Sequence, residues 1–175
     1  MFSKELIIPQ DVQLEIAGNK VKVKGSKGEL EKSFDVKNNV KLEQAEGKLK
    51  VSSESDRRIT KAIAGTIAAH IGNMITGVTK GYVYKLKVVY SHFPVTVKVE
   101  GDKVLIQNFL GERTPRVAKI AGKVKVEVAG ADVTVIGMDI DEVSGVAANI
   151  EQATRISGRD RRIFQDGVWI VSKGE

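Results

Sequence analysis

The amino-acid sequence predicts an α+β protein of two duplicated domains, each a mainly antiparallel β-sheet packed against one α-helix. Three observations carry this. The chain resembles itself at a nearly fixed spacing, each copy opens with apolar residues at period two around a Gly-containing turn, and each closes with an apolar stripe at helical spacing. Placing Val12–Glu29 over Val95–Glu112, an offset of 83, aligns six identical positions without a gap: Val12/Val95, Gly18/Gly101, Lys20/Lys103, Val21/Val104, Gly28/Gly111 and Glu29/Glu112. Raising the offset by one places Lys41-Leu42-Glu43 on Lys125-Val126-Glu127 and Leu49-Lys50-Val51 on Val133-Thr134-Val135. The constant order points to one duplicated unit, with domains over residues 1–80 and 81–175.

In the first copy Val12, Leu14 and Ile16 alternate with polar residues, and a Gly18-Asn19 turn leads into Val21 and Val23. That pattern is a hairpin with one buried face. Val95, Val97 and Val99, the Gly101-Asp102 turn, and Val104 and Ile106 repeat it. Further strands are expected near Leu30–Val36, Val40–Gln44, Lys48–Ser52, Lys123–Val128 and Asp132–Ile136. A first helix is expected from about Asp56 to Ile75, with Ile59, Ala62, Ile63, Thr66, Ile67, His70 and Met74 as its stripe and Gly77 ending it. A second starts near Asp139 with Val143, Val146, Ala147 and Ile150 on one face, and Asp139-x-x-Glu142 reads as a capping box. The link Thr76–Gly81 is short, so the domains are expected to abut. It feeds a strand, Tyr82–Tyr90, that carries all three tyrosines on one face. Core packing of that face is the preferred reading, with base stacking as the alternative.

Composition excludes several functions. The chain has 175 residues, 28 Lys and Arg against 22 Asp and Glu, and a net charge of +6. The excess suits a folded protein with a local anionic partner rather than a disordered polycation. Without cysteine there is no disulfide framework, thiolate metal site or cysteine nucleophile. The start MFSKELIIPQDV does not read as a signal peptide, and no apolar run is long enough to span a bilayer. A cytoplasmic protein with no membrane partner is expected.

Neither histidine stands in a recognised catalytic spacing. His70 lies on the helical stripe as a core or interdomain residue, and His92 sits in the loop Ser91–Pro94, open to acid–base work or an RNA contact. Asp139, Asp141 and Glu142 suit a helix start better than a metal, so no metal or cofactor is expected. Gly25-Ser26-Lys27-Gly28 matches the Gly-x-x-Gly of a KH clamp, but its flanks read as strands and a tight β-turn fits better.

The carboxyl-terminal segment is different. Arg155, Arg159, Arg161 and Arg162 place half of the eight arginines in eight residues, against Asp160 alone. A guanidinium donates two parallel hydrogen bonds to a phosphate and sheds water readily. Beyond them, Arg162–Gln165, an Asp166-Gly167 turn and Val168–Val171 read as a hairpin bearing Phe164 and the lone Trp169. The loop Asn108–Arg116 adds Arg113 and Arg116 as a thinner basic site. An enzyme acting on nucleic acid or phosphate esters, and a protein-interaction module built on Gly65, Gly72 and the Tyr strand, stand as rival classes.

Ile75–Lys87 (ITGVTKGYVYKLK), Asn108–Arg113 (NFLGER) and Arg159–Trp169 (RDRRIFQDGVW), together with the duplication, resemble the large-subunit ribosomal protein six family in its archaeal form. The tail departs from the Pro- and Lys-rich bacterial type, so contacts of that tail do not carry over. The resemblance implies a non-enzymatic structural protein of the large ribosomal subunit. It would hold ribosomal RNA mainly through the second domain and tail, near the sarcin–ricin loop, with neighbouring ribosomal proteins and nearby translation factors. Arg155, Arg159, Arg161, Arg162, Arg113 and Arg116 are the expected phosphate contacts. Lys173 is a further candidate, with His92 and Trp169 as hydrogen-bonding and stacking contacts.

Overall fold

The computed structural model describes residues 2–34, 40–45, 47–53, 55 and 57–174. The chain divides into two units, Met1–Gly81 and Tyr82–Glu175. In the first, β2 (Gln13–Ala17), β3 (Lys20–Gly25) and β4 (Gly28–Ser33) form one antiparallel sheet. A second antiparallel sheet takes the order β1-β6-β5 from β1 (Phe2–Ile7), β5 (Val40–Ala45) and β6 (Lys48–Ser53). Helix α1 (Arg58–Thr79) packs on both. Val21, Val23, Leu49, Val51, Ala64, Ala68, Ile71 and Val78 are completely buried between them, each larger aliphatic contributing about 1.5–3 kcal/mol on burial. Strand β1 is absent from the sequence prediction because it lacks alternation: Lys4 and Leu6 mix on one row, and Ile7 is exposed.

Helix α1 corrects the predicted stripe. The buried row is Thr60, Ala64, Ile67, Ala68, Ile71, Met74, Ile75 and Val78, while Ile59 is exposed and His70 sits at the edge of the row. Gly77 does not end the helix. It is buried inside the last turn, and the left-handed residue is Gly81, φ +77°, whose N–H with that of Lys80 reaches the Thr76 carbonyl. The connection to the second unit is therefore Lys80-Gly81, not Thr76–Gly81. The expected start at Asp56 and the strand end at Val36 lie outside the described residues. Gly25–Gly28 is a tight turn between β3 and β4, with Gly25 opposite Gly28. It seats on the end of α1: the Lys27 N–H donates to the Val78 carbonyl at 3.0 Å, Ser26 Oγ at 3.4 Å to the same oxygen, and Lys27 Nζ to that of Lys80.

The second unit repeats this plan and extends it. Strands β8 (Thr96–Glu100), β9 (Lys103–Gln107) and β10 (Arg116–Lys119) form a three-stranded sheet. A four-stranded sheet takes the order β11-β12-β7-β13, from β7 (Tyr82–Val89), β11 (Lys125–Ala129), β12 (Asp132–Gly137) and β13 (Gly167–Ser172). Helix α2 (Ile140–Ala153) packs on β7, β10, β12 and β13. Tyr82, Tyr84, Leu86 and Val88 of β7 are buried as expected, but Tyr90 falls beyond the strand and is half exposed. The Asp139 carboxylate caps α2 by accepting the Asp141 N–H at 2.9 Å. Glu142, instead of completing a capping box, accepts the N–H of Lys123 at 3.0 Å.

The registers define the duplication. Leu6 lies opposite Leu49 as Leu86 lies opposite Val133, so β1 is the counterpart of β7. Helix positions Ala64, Ile67, Ala68 and Ile71 correspond to Val143, Val146, Ala147 and Ile150. Two things are new in the second unit. Among the described residues of the first unit β13 has no counterpart, and the two-residue turn Ser26-Lys27 becomes the eight-residue loop Asn108–Pro115. The predicted carboxyl-terminal hairpin does not form either. Residues 161–163 are a turn, and β13 pairs antiparallel with β7 instead.

Candidate nucleic-acid interface

Both additions converge on one end of the second unit. After α2 the chain crosses its end, and the buried Thr154 Oγ1 accepts the Val168 N–H at 3.0 Å, tying helix to β13. Between them residues 155–166 form a loop, exposed over residues 157–163 and organised by Asp160. Its carboxylate accepts the Arg162 N–H at 2.9 Å and pairs with the Arg162 guanidinium at 3.1–3.2 Å, and its carbonyl accepts the N–H groups of Ile163 and Phe164. The bonds from Arg162, its side chain first and then its backbone N–H, hold the Asp160 carboxyl below its ordinary pKa.

Asp166 anchors the loop. The sequence reads it as a turn residue, yet it is only 1% exposed. One oxygen accepts the N–H groups of Ser91 and His92, both at 3.2 Å, and the other meets Ser91 Oγ at 3.1 Å and His92 Nδ1 at 2.9 Å. Burial pushes its pKa up, but the bonds from His92 and Ser91 outweigh that and leave it lowered. A Ser, a His and an Asp are thus brought together, which no spacing announces. They are not a catalytic triad: Ser91 Oγ and the carboxylate both face Nδ1, whereas a general base needs its serine on the opposite ring nitrogen. The cluster is a latch that fixes His92, whose ring stacks on Phe164 with centroids 4.3 Å apart and planes at 19°. The Arg159 guanidinium also packs on Phe164, 4.8 Å from its centroid.

The long β9–β10 loop joins the same cluster. Asn108, φ +57°, donates through Nδ2 to the Pro94 carbonyl at 3.0 Å, and Phe93 packs against Gly111. Leu110, φ +51°, is a left-handed non-glycine residue, a conformation costing of order 1–3 kcal/mol that the surroundings must hold. Arg116 holds it. Its Nε and Nη2 pair with Glu112 at 2.9 and 2.6 Å, its Nη1 donates to the carbonyls of Ala153 and Arg155 at 3.0 Å each, and it lies 4.5 Å over the Phe109 ring. Glu112 is lowered in pKa chiefly by the bond from Arg116 and also by the charge of Arg159.

The candidate residues therefore divide. Arg155, Arg159, Arg161 and Arg162 are exposed on the loop, and Arg113 is exposed on the neighbouring one. Four of the five N–H donors of Arg116 are taken by Glu112 and the carbonyls of Ala153 and Arg155, which favours a structural brace over the expected phosphate contact. His92 is part of the cluster, with a third of its side chain exposed. Trp169, on β13 opposite Lys87, is 46% exposed beside Phe164. Lys173 is not brought to the cluster. It follows β13 at the end opposite Asp166, roughly 20 Å away by strand rise. Sequence reasoning missed Asp166, Phe93 and Phe164 as organisers because each acts through partners remote in the chain, and it missed Glu112 although its partner Arg116 is only four residues away. Among the described residues no cluster of three or more His, Asp or Glu is placed to hold a metal, and no helix is long and apolar enough to cross a membrane.

Comparison with known proteins fits this duplicated architecture. The family described as Ribosomal protein L6 matches residues 8–81 and again residues 93–167. The large ribosomal subunit protein uL6 of Ignicoccus hospitalis is 51% identical over 170 residues, covering 95% of this chain and 91% of that protein. Those of Sulfurisphaera tokodaii and Archaeoglobus fulgidus are 50% and 48% identical, covering 97% and 95% of this chain and 91% and 87% of theirs. With both units matched and half of all positions shared across nearly the whole length, the chain belongs to the ribosomal protein L6 family.

Proposed function

We propose that this chain is a structural constituent of the large ribosomal subunit, in the cytoplasm, that binds ribosomal RNA mainly through its second unit and tail. Its seat would be near the sarcin–ricin loop and the translation-factor-binding region, beside neighbouring ribosomal proteins. Family membership, with relatives named as large-subunit proteins, supports the ribosomal setting. One observation supports the choice of surface. The segments that distinguish the second unit from the first bring Arg155, Arg159, Arg161, Arg162 and Arg113 to one end, around a latched His92. Guanidinium groups held on a braced loop position a protein on phosphates without reading bases, so recognition is of RNA shape. The absence of a nucleophile–base geometry at Ser91–His92–Asp166 accords with a non-enzymatic role.

The test is the salt dependence of RNA binding. Each phosphate-neutralising cation contributes about −0.9 to the log–log slope on a duplex. Replacing Arg155, Arg159, Arg161 and Arg162 by Ala together should flatten the slope by roughly three, less than four full contributions because Asp160 already partners Arg162. An unchanged slope removes the tail from the interface. Crosslinking in assembled subunits tests the location, and adducts at residues 155–166 that map away from the sarcin–ricin loop would refute it.

A further inference from the structure

Next to the arginine loop is an open cavity of about 590 Å³, with Arg155, Arg161, Phe164, Gln152, Gln165 and Trp169 on its walls. We propose that it receives a single unpaired RNA nucleotide, the base stacked on the Trp169 indole and the adjoining phosphates on Arg155 and Arg161. The inference rests on the RNA-binding reading above and names a site within it.

The indole is held for that purpose. Its Nε1–H donates to the Gln165 carbonyl at 3.3 Å, so its polar edge is already satisfied. One part of the ring lies so close over Gly167 that a Cβ there would come within 3.1–3.2 Å of its atoms. The remaining 46% is exposed and borders the cavity. A fixed aromatic surface suits a base, because every base has a π-face and stacking needs no directional partner.

The remaining wall supplies an edge and a charge. Glu151 is held there by accepting the Ile170 N–H at 3.2 Å, and Gln152 brings an amide to the mouth. A base presents N–H groups and ring acceptors that these can meet. Two exposed arginines at the rim complement a phosphodiester. A base within a continuous duplex cannot enter, since both its faces are already stacked. The occupant must therefore be a bulged or single-stranded nucleotide.

Trp169 is the lone tryptophan, so its emission reports the site directly. The full chain is titrated with two RNA hairpins of equal length, one carrying a single-nucleotide bulge and the other fully paired. The bulged hairpin should quench Trp169 emission and bind at least about fivefold tighter, the low end for one base–aromatic stack. Trp169→Phe should keep the preference and Trp169→Ala should bring the two affinities together. The quenching measurement needs no variant and stands if Trp169→Ala misfolds. Equal affinity for both hairpins with no quenching overturns the cavity proposal and leaves the RNA-binding reading intact. Failure to bind either hairpin at low salt overturns both. Quenching by an acidic peptide carrying one Phe, with none from the bulged hairpin, would assign the cavity to a protein partner and overturn the proposal.

Discussion

Removing the Asp166 carboxylate should release the arginine loop and unfold the second unit more easily, by an amount the geometry sets. Four donors converge on it, two of them backbone N–H groups at 3.2 Å from one oxygen. In Asp166→Ala, Ser91 Oγ and the His92 ring can turn to water, because both lie near the surface. The two backbone N–H groups are fixed in direction by the chain and lie in partly buried bonds, and each donor left unsatisfied costs about 1–3 kcal/mol. With the lost charge-assisted bonds, the expected destabilisation is about 3–5 kcal/mol. Asp166→Asn keeps an oxygen for both N–H groups but loses the charge and puts an NH2 donor where Ser91 Oγ and His92 Nδ1 met the second oxygen, so about 1–2 kcal/mol is expected. The assay is urea unfolding followed by Trp169 emission, which reports the second unit alone. For a unit of this size m is about 1–1.5 kcal/mol per molar urea, placing the midpoint of the Ala variant roughly 2–5 M below wild type and that of Asn roughly 1–2 M below. Equal midpoints for the two variants would refute the argument that the backbone donors dominate.

The same carboxylate gives a pH dependence. Its folded pKa is lowered, so its stabilisation is complete above the ordinary carboxylate value near 4 and is lost as pH falls through the lower folded value; unfolding midpoints measured from pH 7 to 2.5 should fall more steeply for wild type than for Asp166→Asn. Arg116→Ala removes a bidentate pair, two carbonyl contacts and the stack on Phe109. A loss of about 2–3 kcal/mol in the urea assay is expected, while the RNA salt slope should change by less than one full cation if the residue is a brace. Asp160→Asn keeps the oxygen that accepts the Arg162 N–H but frees its guanidinium, so RNA affinity should rise at about 50 mM salt and the gain should fade as salt screens it. In the first unit, a Cβ on Gly25 would meet Val78 at 2.7–2.9 Å, including its carbonyl oxygen. Gly25→Ala should therefore cost about 1–3 kcal/mol, read as faster amide exchange at the end of α1.

Much of the fold was legible because local chemistry and global structure agree there. Leu14, Val21 and Val23 alternate toward a buried face, Gly18 and Gly101 both turn at positive φ, and Val143, Val146, Ala147 and Ile150 form the predicted row. The misses share a cause. Gly77 reads as a stop, but Val78 is wholly buried and the β3–β4 turn satisfies the extra carbonyls, so tertiary contacts carry the helix four residues further. Asp166-Gly167 has the composition of a hairpin turn, yet the carboxylate finds four donors at Ser91 and His92, and no nearby sequence encodes that. At the candidate site the charge was readable and its sorting was not. Arg116 and Arg113 sit in one short loop, and only the fold sets Glu112 and two helix-end carbonyls around the former.

The two copies also show how the site arose without loss of the scaffold. In both, the connection after the second strand of the three-stranded sheet, or the first residue of the strand that follows it, caps the end of the domain's helix. In the first, Ser26 and Lys27 reach the carbonyls of Val78, Thr79 and Lys80 at the end of a 22-residue helix. In the second, Arg116 does so at Ala153 and Arg155, beyond a helix of 14 residues. Aligned on their buried rows, α2 stops about one turn earlier, and the β9–β10 loop lengthens to meet it. The shortened helix leaves space at its end for the arginine loop. Arg116, the first residue of β10, restores the cap, and the longer β9–β10 loop carries Arg113 to that space. A capping arginine need not bind RNA for this to work, which explains why Arg116 faces inward while the arginines beside it face out.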